Sequence, residues 1–292
     1  MNRDRSSRAE RAAYPIAVLC RTPRVSRAGH YARAGRGAAA RARAAERLAA
    51  RIATIHARRR RTYGAPRAHA ELRAEGGRCA RKRVARLMRA AGLVGCHRRR
   101  ARTTVADPAH TPAPNLIARD FAAAGPSRLR LGAITYPPTR EGRRYLAVLL
   151  DAHSRRVVGR AMADRLRTGL TLDALAMALR SRCPPPGPIH HPDRGGRYTA
   201  AAYQPRLAAR GIACSMSRAG QCLDEAMAGS FFATLKAEVL DERPWPTRVA
   251  ARRAAFGWLE AWYNRQRRHS ALAYRSPVAH EKHALLLQGL AA

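Results

Sequence analysis

The chain has 292 residues with a formal net charge of +38, and 46% of its residues are hydrophobic. It is therefore long enough to bury one or more apolar cores, and its composition is that of a globular protein rather than a disordered one. No apolar run approaches the roughly 18 residues that a membrane span requires, which excludes a transmembrane protein. No CxxC pair occurs among the six cysteines, which argues against a zinc ribbon or a disulfide scaffold.

The positive charge indicates a polyanionic partner. Only three of the 57 basic side chains are lysines, and arginine pairs bidentately with phosphates and guanine edges, which favours nucleic acid. A GC-rich genome also enriches arginine, and we expect both causes to contribute. A general RNA-binding or ribosome-binding protein is the alternative that charge alone leaves open. The apolar stretch PIAVLC is too short and too acid-flanked for a secretory signal, so we expect a cytoplasmic, nucleoid-associated protein.

Helical periodicity dominates the first hundred residues, which carry 28 basic against 5 acidic side chains. Residues 14–31 predict two short helices. Residues 41–58 predict a longer one, because their apolar residues recur at helical spacing. We assign residues 1–60 to an N-terminal basic helical region.

A second pair of predicted helices covers residues 67–75 and 81–92, separated by Gly76 and Gly77. The second of them has an apolar stripe and a basic stripe, and two helices joined by a glycine turn with one basic face are typical of a helix-turn-helix. We therefore assign residues 61–97 to a helix-turn-helix-like DNA-binding segment; two solvated helices with ordinary surface arginines are the alternative. The candidate DNA-binding residues are Arg67, His69, Arg81, Lys82, Arg83, Arg86 and Arg89.

The pattern becomes strand-like after a linker. Residues 98–127 are rich in proline and alanine and predict a linker or extended arm. The runs that follow predict strands at residues 129–136, 145–151, 155–163, 188–191 and 212–217 and helices at residues 169–181, 199–211, 224–240 and 247–266. Three antiparallel strands and then alternating helix and strand predict a mixed α/β sheet, in the order that RNase H-like nucleases use. We assign residues 128–280 to this core and residues 281–292 to a tail.

Seven blocks of the sequence resemble, in order, those of insertion-sequence transposases with a retroviral-integrase-type core. They are TYGAPRAHAELR, RKRVARLMRAAGL, AITYPPTREG, YLAVLLDAHSRRVVG, IHHPDRGGRYT, SFFATLKAE and WYNRQRRHSAL followed by SP. The resemblance covers essentially the whole chain, which is similar to the product of the second reading frame of such elements. It implies an RNase H-like integrase core, a five-stranded mixed sheet with flanking helices, preceded by an all-α helix-turn-helix-type region.

The resemblance also implies an activity and partners. The activity is DNA integration and transposition by strand cleavage and transfer, with Mg²⁺ as the cofactor. The partners are the terminal repeats of the element, the target DNA, a protein encoded in the upstream reading frame, and further copies of the chain in a homo-oligomer on DNA.

The site implied by the resemblance has three acids, Asp-Asp-Glu, which hold two Mg²⁺ ions about 3.5–4 Å apart for an in-line phosphoryl transfer. Asp193, in HHPDRGGRY, matches the second acid. Gly229 stands at the third position, at the family spacing with 35 residues between, and Ala133 stands at the first, immediately before ITY. Asp193 is thus the sole retained acid and metal ligand. We predict that this copy binds DNA, is catalytically inactive and does not hold Mg²⁺ productively.

Other residues leave two alternatives open. Glu225 lies one helical turn before the third acid position and is the candidate substitute acid of an active enzyme. A non-enzymatic DNA-binding regulator of related mobile elements is the second alternative. Asp151 ends the second strand. If Ala133, at the first acid position, pairs near Leu146, Asp151 lies about 17 Å from the site, which excludes it as a substitute acid. Arg130 stands where the family usually has tryptophan.

The core also carries candidate DNA-binding residues. Lys236 is similar to a family lysine that contacts the DNA end. The late basic cluster consists of Arg265, Arg267, Arg268 and His269. The alternative for each of these residues is a solvated surface charge. The candidates are Arg194, Lys236, Arg265, Arg267, Arg268 and His269. We expect His190 and His191 to pack beneath or orient the loop of Asp193 rather than to bind a metal.

Overall fold

The computed structural model describes residues 40–96, 114–117, 120–121, 123–182, 187–193, 196–200, 202–216, 226–240 and 244–289, together with residues 26 and 28. The chain divides into two compact units, residues 1–94 and residues 95–292. The helices predicted within residues 14–31 and much of the predicted linker lie outside the described residues. None of the described helices is long and apolar enough to cross a bilayer.

Three helices form the described part of the first unit: α1 (Ala40–Arg58), α2 (Ala65–Ala74) and α3 (Arg81–Ala90). They confirm the three helices predicted between residues 41 and 92. Gly76 adopts a left-handed φ of +77°, and a Cβ on Gly77 would lie 2.9 Å from the Leu72 carbonyl oxygen, so both glycines are needed in the turn between α2 and α3. The helices share a core of Ile52, Ile55, Ala68, Leu72, Val84 and Met88.

The second unit is built on a five-stranded mixed sheet, as predicted. The strands of the unit are β1 (Leu129–Thr135), β2 (Pro138–Thr139), β3 (Gly142–Arg143), β4 (Tyr145–Asp151), β5 (Val157–Ala163), β6 (Ile189–Pro192) and β7 (Ala213–Cys214). The main sheet has the order β5-β4-β1-β6-β7, whereas β2 and β3 form a separate hairpin. β1 pairs antiparallel with β4, and β4 pairs antiparallel with β5. On the other side, β1 pairs parallel with β6, and β6 pairs parallel with β7.

The register of β1 on β4 differs from the predicted one. Ala133 lies opposite Val148, and Thr135 lies opposite Leu146, whereas we expected position 133 to pair near Leu146. The error arises because the segment between β1 and β4 forms its own β2–β3 hairpin, so the ladder closes at Thr135 rather than beyond it. Asp151 is consequently three residues, about 10 Å, along β4 from the partner of Ala133, and not about 17 Å.

Helices cover both faces of the sheet. They are α4 (Thr168–Ser181), α5 (Gln204–Ala208), α6 (Ala226–Leu235), α7 (Arg248–Gly257) and α8 (Pro277–Gly289). α6 is extended by a wider π-type turn over Lys236–Leu240, and α7 by another over Trp258–Tyr263. α4 packs closely on β5, since a Cβ on Gly159 would lie only 2.2 Å from the Ala174 carbonyl oxygen.

Two helices depart from the prediction. α5 is shorter than the predicted helix over residues 199–211, because Pro205, which lacks an N–H, occupies the first turn and fixes where the helix begins. α8 was not predicted at all, although it spans the expected start of the tail. Its Glu281 is buried and accepts hydrogen bonds from Ser154 and Arg182, so contacts distant in sequence anchor this helix.

Candidate active site

Ala133 and Asp193 lie side by side on neighbouring strands. β1 and β6 run parallel with Gly132 opposite Pro192, and the Asp193 amide donates to the Gly132 carbonyl oxygen at 3.0 Å. Because adjacent strands are about 4.8 Å apart, Ala133 and Asp193, the next residues along each strand, are neighbours. Ala133 is 6% exposed and Asp193 is half-buried. The two residues that the resemblance assigns to the first and second acid positions are therefore neighbours, but only Asp193 has a carboxylate.

Gly229 lies on α6, the helix that packs against β1. Leu150, which lies opposite Leu131, lines a small pocket with Phe231 of α6. Since side chains alternate along a strand, α6 covers the sheet face to which Leu131 and Ala133 both point. Gly229 itself is exposed, and a Cβ built there would meet no atom within 4 Å. A Cβ at this position would therefore displace no described residue.

The residues at the three acid positions do not fit a two-metal centre. Hard divalent ions take several oxygen ligands, carboxylates above all, and Ala133 and Gly229 offer no side-chain oxygen. Within the ranges that the structure describes, no group of three or more His, Cys, Asp or Glu side chains is arranged to hold a metal ion. Two sequence candidates, Glu225 and Arg194, lie outside those ranges.

Asp151 is engaged by the fold. It is fully buried, and its carboxylate accepts hydrogen bonds from the Ser127 amide at 2.6 Å and from the amide and hydroxyl of Ser154 at 2.9 and 2.8 Å. Three donors from loop residues hold it at the far end of β4. Asp151 is therefore closer to Ala133 than expected, but these contacts give its carboxylate a structural role.

A buried histidine–tyrosine pair supports the strand that ends at Asp193. His190 Nε2 lies 2.8 Å from the Tyr203 hydroxyl, and a Cβ on Gly132 would lie 3.0 Å from the His190 ring, so the ring packs over the glycine. Burial lowers the pKa of His190 to about 3, with smaller contributions from Arg130 and His191. The ring is therefore neutral at physiological pH.

The same cluster reaches the acid itself. Burial raises the pKa of Tyr203 well above its ordinary value, and the nearby Cys214 and Asp193 raise it further. The second histidine, His191, hydrogen-bonds Ser215 at 2.8 Å. Both histidines are thus buried and hydrogen-bonded, in line with a packing role. Tyr203 lies outside any sequence motif, and its contact with His190 is a product of the fold, so no local pattern identifies it.

The late basic cluster is divided between the surface and the interior. Arg265 is exposed, whereas Arg267 is buried and forms an ion pair with Glu238 at 2.8 Å. Arg268 donates to the Tyr274 carbonyl oxygen at 2.9 Å. His269 is buried and edge-on to an aromatic ring. Burial thus contradicts the expectation that Arg267 and His269 contact DNA, because neither presents its side chain at the surface. Lys236 is half-buried.

In the first unit, the basic side of α3 is exposed. Its exposed basic residues are Arg81, Lys82, Arg86 and Arg89, and Arg83 is half-buried. The other two candidates make internal contacts: His69 hydrogen-bonds the Cys79 carbonyl at 2.9 Å, and the Arg67 guanidinium lies 5.8 Å from the centre of the Tyr63 ring. The exposed candidates of this unit therefore lie on one helix.

Three stretches of the chain match models of known domains. Residues 43–101 match an HTH-like domain. Residues 126–222 match an integrase core domain, and residues 210–277 match a second model of the same description.

The chain is similar to proteins of several insertion elements over most of its length. It is 39% identical to the insertion element IS600 uncharacterized 31 kDa protein of Shigella sonnei, over 89% of this chain and 96% of that protein. It is 38% identical to the transposase for insertion sequence element IS904 of Lactococcus lactis, over 82% and 94%. It is also 38% identical to transposase InsF for insertion sequence IS3A of Escherichia coli, over 92% and 95%.

Solved structures of retroviral proteins are more distant. The simian T-cell lymphotropic virus intasome in complex with PP2A regulatory subunit B56 gamma shares 17% identity at a TM-score of 0.46, over 72% of this chain and 69% of the other. The HTLV-2 integrase catalytic core domain in complex with magnesium shares 18% identity at a TM-score of 0.40, over 55% of this chain and 99% of the other.

Proposed function

The chain belongs to the transposase family of insertion-sequence elements, and we propose that it binds DNA as its relatives' reaction requires but does not catalyse strand transfer. The observation that carries this proposal is that Ala133 and Asp193 directly follow the paired residues Gly132 and Pro192 of adjacent strands, and that the helix of Gly229 packs against β1. The integrase core indicates a divalent metal as the family's cofactor. Strand transfer needs several carboxylates around two ions, and the described site has one.

DNA binding is supported by the charge and by where it is exposed. The chain carries +38 overall, and α3, in the HTH-like part of the chain, exposes four basic side chains on one helix. Phosphate contacts of this kind supply affinity that falls steeply with salt. In the core, Lys236, Arg265 and Arg268 remain candidate contacts, and Arg194 joins them on its sequence position alone.

DNA, further copies of the chain and a second protein are the expected partners. We expect the chain to bind the terminal repeats of its element as a homo-oligomer, beside the protein of the upstream reading frame, and to be associated with the nucleoid. A protein that occupies the repeats without cutting them competes with active relatives, so the same chain would act as a non-enzymatic regulator of related elements.

A strand-transfer assay tests inactivity. The purified chain is incubated with DNA that carries the terminal repeats and with a target duplex, in Mg²⁺ or Mn²⁺. We expect no joined product from the natural sequence. Product from the natural sequence would refute the proposal, and its loss in a Glu225→Gln variant would then identify Glu225 as the substitute acid.

A metal-binding measurement separates the acids from the rest of the protein. The double variant Ala133→Asp with Gly229→Glu restores both carboxylates, and Ala133→Asn with Gly229→Gln is the matched control of the same size without charge. We expect Mn²⁺ to raise the unfolding temperature of the first and not of the second. If the restored variant binds Mn²⁺ but makes no product, further substitutions have also disabled the chain. Equal Mn²⁺ responses in both variants would contradict the assignment of these positions.

A further inference from the structure

We propose that the loop between β1 and β4, residues 136–144 (the basic hairpin), forms a DNA contact of its own, holding a strand whose terminal base is unpaired. This inference rests on the proposed DNA binding and adds a surface that neither the helix-turn-helix segment nor the late basic cluster includes. Its occupant is a DNA strand that lies along the sheet edge at Asp193.

The basic hairpin extends from the same edge of the sheet as Asp193. β1 and β6 are parallel, so their carboxyl ends meet at one edge, and the Asp193 amide bonds to Gly132 there. β1 ends at Thr135, and Tyr136 begins the hairpin only three residues, about 10 Å, beyond Ala133. A strand bound along the hairpin would therefore lie beside the acid.

The hairpin presents positive charge. Arg140 and Arg143 are exposed, and Arg144 is half-buried. Its one acid, Glu141, accepts a hydrogen bond from the Arg248 amide at 2.7 Å, at the first turn of α7. A carboxylate at a helix N-terminus accepts hydrogen bonds from free backbone amides and interacts favourably with the helix dipole. The N-terminus of α7 is therefore the structural partner of Glu141. The exposed tip thus offers two guanidinium groups that suit phosphates.

The hairpin is held in place before any ligand arrives. The Trp245 amide donates to the Pro138 carbonyl oxygen at 3.0 Å, and the Arg140 amide donates to the Trp245 carbonyl oxygen at 2.9 Å. Thr139 also donates its hydroxyl to the Gly142 carbonyl oxygen across the turn. A preformed surface loses less conformational freedom on binding than a mobile loop.

Tyr136 gives the hairpin an aromatic surface. Tyr136 is 44% exposed, and its ring stands edge-on to Tyr145 with the centroids 5.7 Å apart. The edge contact fixes the ring while leaving much of it open to solvent. An open aromatic ring beside exposed arginines is the combination on which proteins stack unpaired bases, which is why we choose a frayed or single-stranded end over an intact duplex.

The charge contribution is tested by salt dependence. The full chain and an Arg140→Ala/Arg143→Ala variant are titrated into labelled DNA with a short single-stranded overhang at several salt concentrations. We expect weaker binding and a slope of log K against log salt that is smaller by roughly 1–2 units, as for one or two lost phosphate contacts. An Arg140→Lys/Arg143→Lys variant should retain most of the slope, since it keeps both charges.

The matched control removes the same charge elsewhere. Arg180 and Arg210 are also exposed; Arg180 lies near the end of α4, which leads to the start of β6, and Arg210 lies just before β7. Both are therefore at the sheet edge opposite Asp193. We expect Arg180→Ala/Arg210→Ala to leave the slope close to that of the natural chain. Equal losses in the two double variants would show a general charge effect and overturn the proposal.

Base stacking has a separate measurement. A 2-aminopurine at the overhang should be quenched on binding by the natural chain and by Tyr136→Phe, but not by Tyr136→Ala. Unchanged quenching in Tyr136→Ala, or an unchanged slope in the arginine variant while the chain still binds DNA, would refute the hairpin contact alone. Failure of the natural chain to bind DNA at all would instead refute the proposed function.

Discussion

Arg130 lies directly opposite Asp151 in the β1–β4 ladder, yet the Asp151 carboxylate accepts its hydrogen bonds from Ser127 and Ser154. Arg130 is 1% exposed, and its three guanidinium nitrogens have no hydrogen-bond partner among the described residues. Burial lowers the pKa of Arg130; Asp151 opposes this effect, and Arg182 adds to it. A cation therefore occupies an interior position where the resemblance implies tryptophan, at a cost in stability.

Replacement of Arg130 by methionine should stabilise the core. Removing a buried polar group that lacks partners relieves a penalty of about 1–3 kcal/mol. Urea unfolding followed by tryptophan fluorescence measures the second unit alone, because all three tryptophans lie there. Arg128→Met, at an exposed neighbouring position, is the control and should give no such gain. A clear loss of stability in Arg130→Met would show that the guanidinium contributes a stabilising contact.

Two glycines should respond to alanine in opposite directions. At Gly229 a Cβ meets no atom within 4 Å. Gly229→Ala should therefore raise the free energy of unfolding by about 1 kcal/mol, because alanine has the higher helix propensity. At Gly159 a Cβ would lie 2.2 Å from the Ala174 carbonyl oxygen, so Gly159→Ala should destabilise the core by about 1–3 kcal/mol through overpacking. The same unfolding assay measures both. A destabilised Gly229→Ala variant would mean that this position is crowded and could not accept glutamate.

Secondary structure is predicted best from the sequence where the pattern of apolar residues is local. β4 has the predicted bounds, because seven successive buried or half-buried residues leave little choice of structure. The β2–β3 hairpin and the register it sets were missed, since Pro138–Arg143 has no apolar alternation to mark a strand. Motifs and spacing predict the three acid positions, and the fold makes two of the predicted positions, Ala133 and Asp193, neighbours on adjacent strands.

Contacts between distant residues could not be predicted. Arg267 was expected at the surface because it lies in a basic cluster, but its partner is Glu238, 29 residues earlier. α8 was missed because the contact of Glu281 that anchors it reaches Ser154, 127 residues earlier. The His190–Tyr203 bond likewise joins a strand to a separate helix N-terminus. In each case a polar side chain is buried against partners that are distant in sequence, and no periodicity reveals such partners.

The neutral state of His190 should make the core sensitive to acid. The pKa of His190 is about 3 in the folded state against an ordinary 6.5, so the unfolded chain binds a proton between these pH values that the folded chain does not. The free energy of unfolding is then full above about pH 6.5 and falls as the pH drops towards 3, with a limiting slope of about 1.4 kcal/mol per pH unit. Burial also lowers the pKa of His280, which acts in the same direction.

Two variants separate this titration from the hydrogen bond. In Tyr203→Phe the hydrogen bond is lost but the imidazole remains, so stability should fall at every pH with the acid slope retained. In His190→Gln the titrating ring is absent, and the slope between pH 6.5 and 4.5 should be shallower. Urea titrations at a series of pH values give both quantities. An acid slope in His190→Gln equal to that of the natural chain would assign the sensitivity to other groups.

Arg265 and Arg267 should separate DNA binding from folding. Arg267 donates to Glu238 from Nε at 2.8 Å, and the other oxygen of Glu238 accepts from the indole nitrogens of Trp258 and Trp262, each at 3.1 Å. Arg267→Ala leaves a buried carboxylate without its cation, so the free energy of unfolding should fall by about 3–5 kcal/mol. Arg265→Ala, at an exposed position, should change stability by less than about 0.5 kcal/mol while reducing the salt dependence of DNA binding.

A compensating variant decides whether charge or packing causes the loss at Arg267. Glu238→Gln/Arg267→Gln removes both charges and keeps polar side chains of moderate size, so it should be more stable than Arg267→Ala because no lone ion is left in the interior. Stability is measured by urea unfolding, and DNA binding by titration at temperatures where all variants are folded. If Arg267→Ala keeps full stability but loses DNA affinity, Arg267 is exposed in solution, and the late basic cluster contacts DNA as the sequence first indicated. If instead Arg265→Ala weakens DNA binding and Arg267→Ala only lowers stability, Arg265 contacts DNA and Arg267 has a structural role.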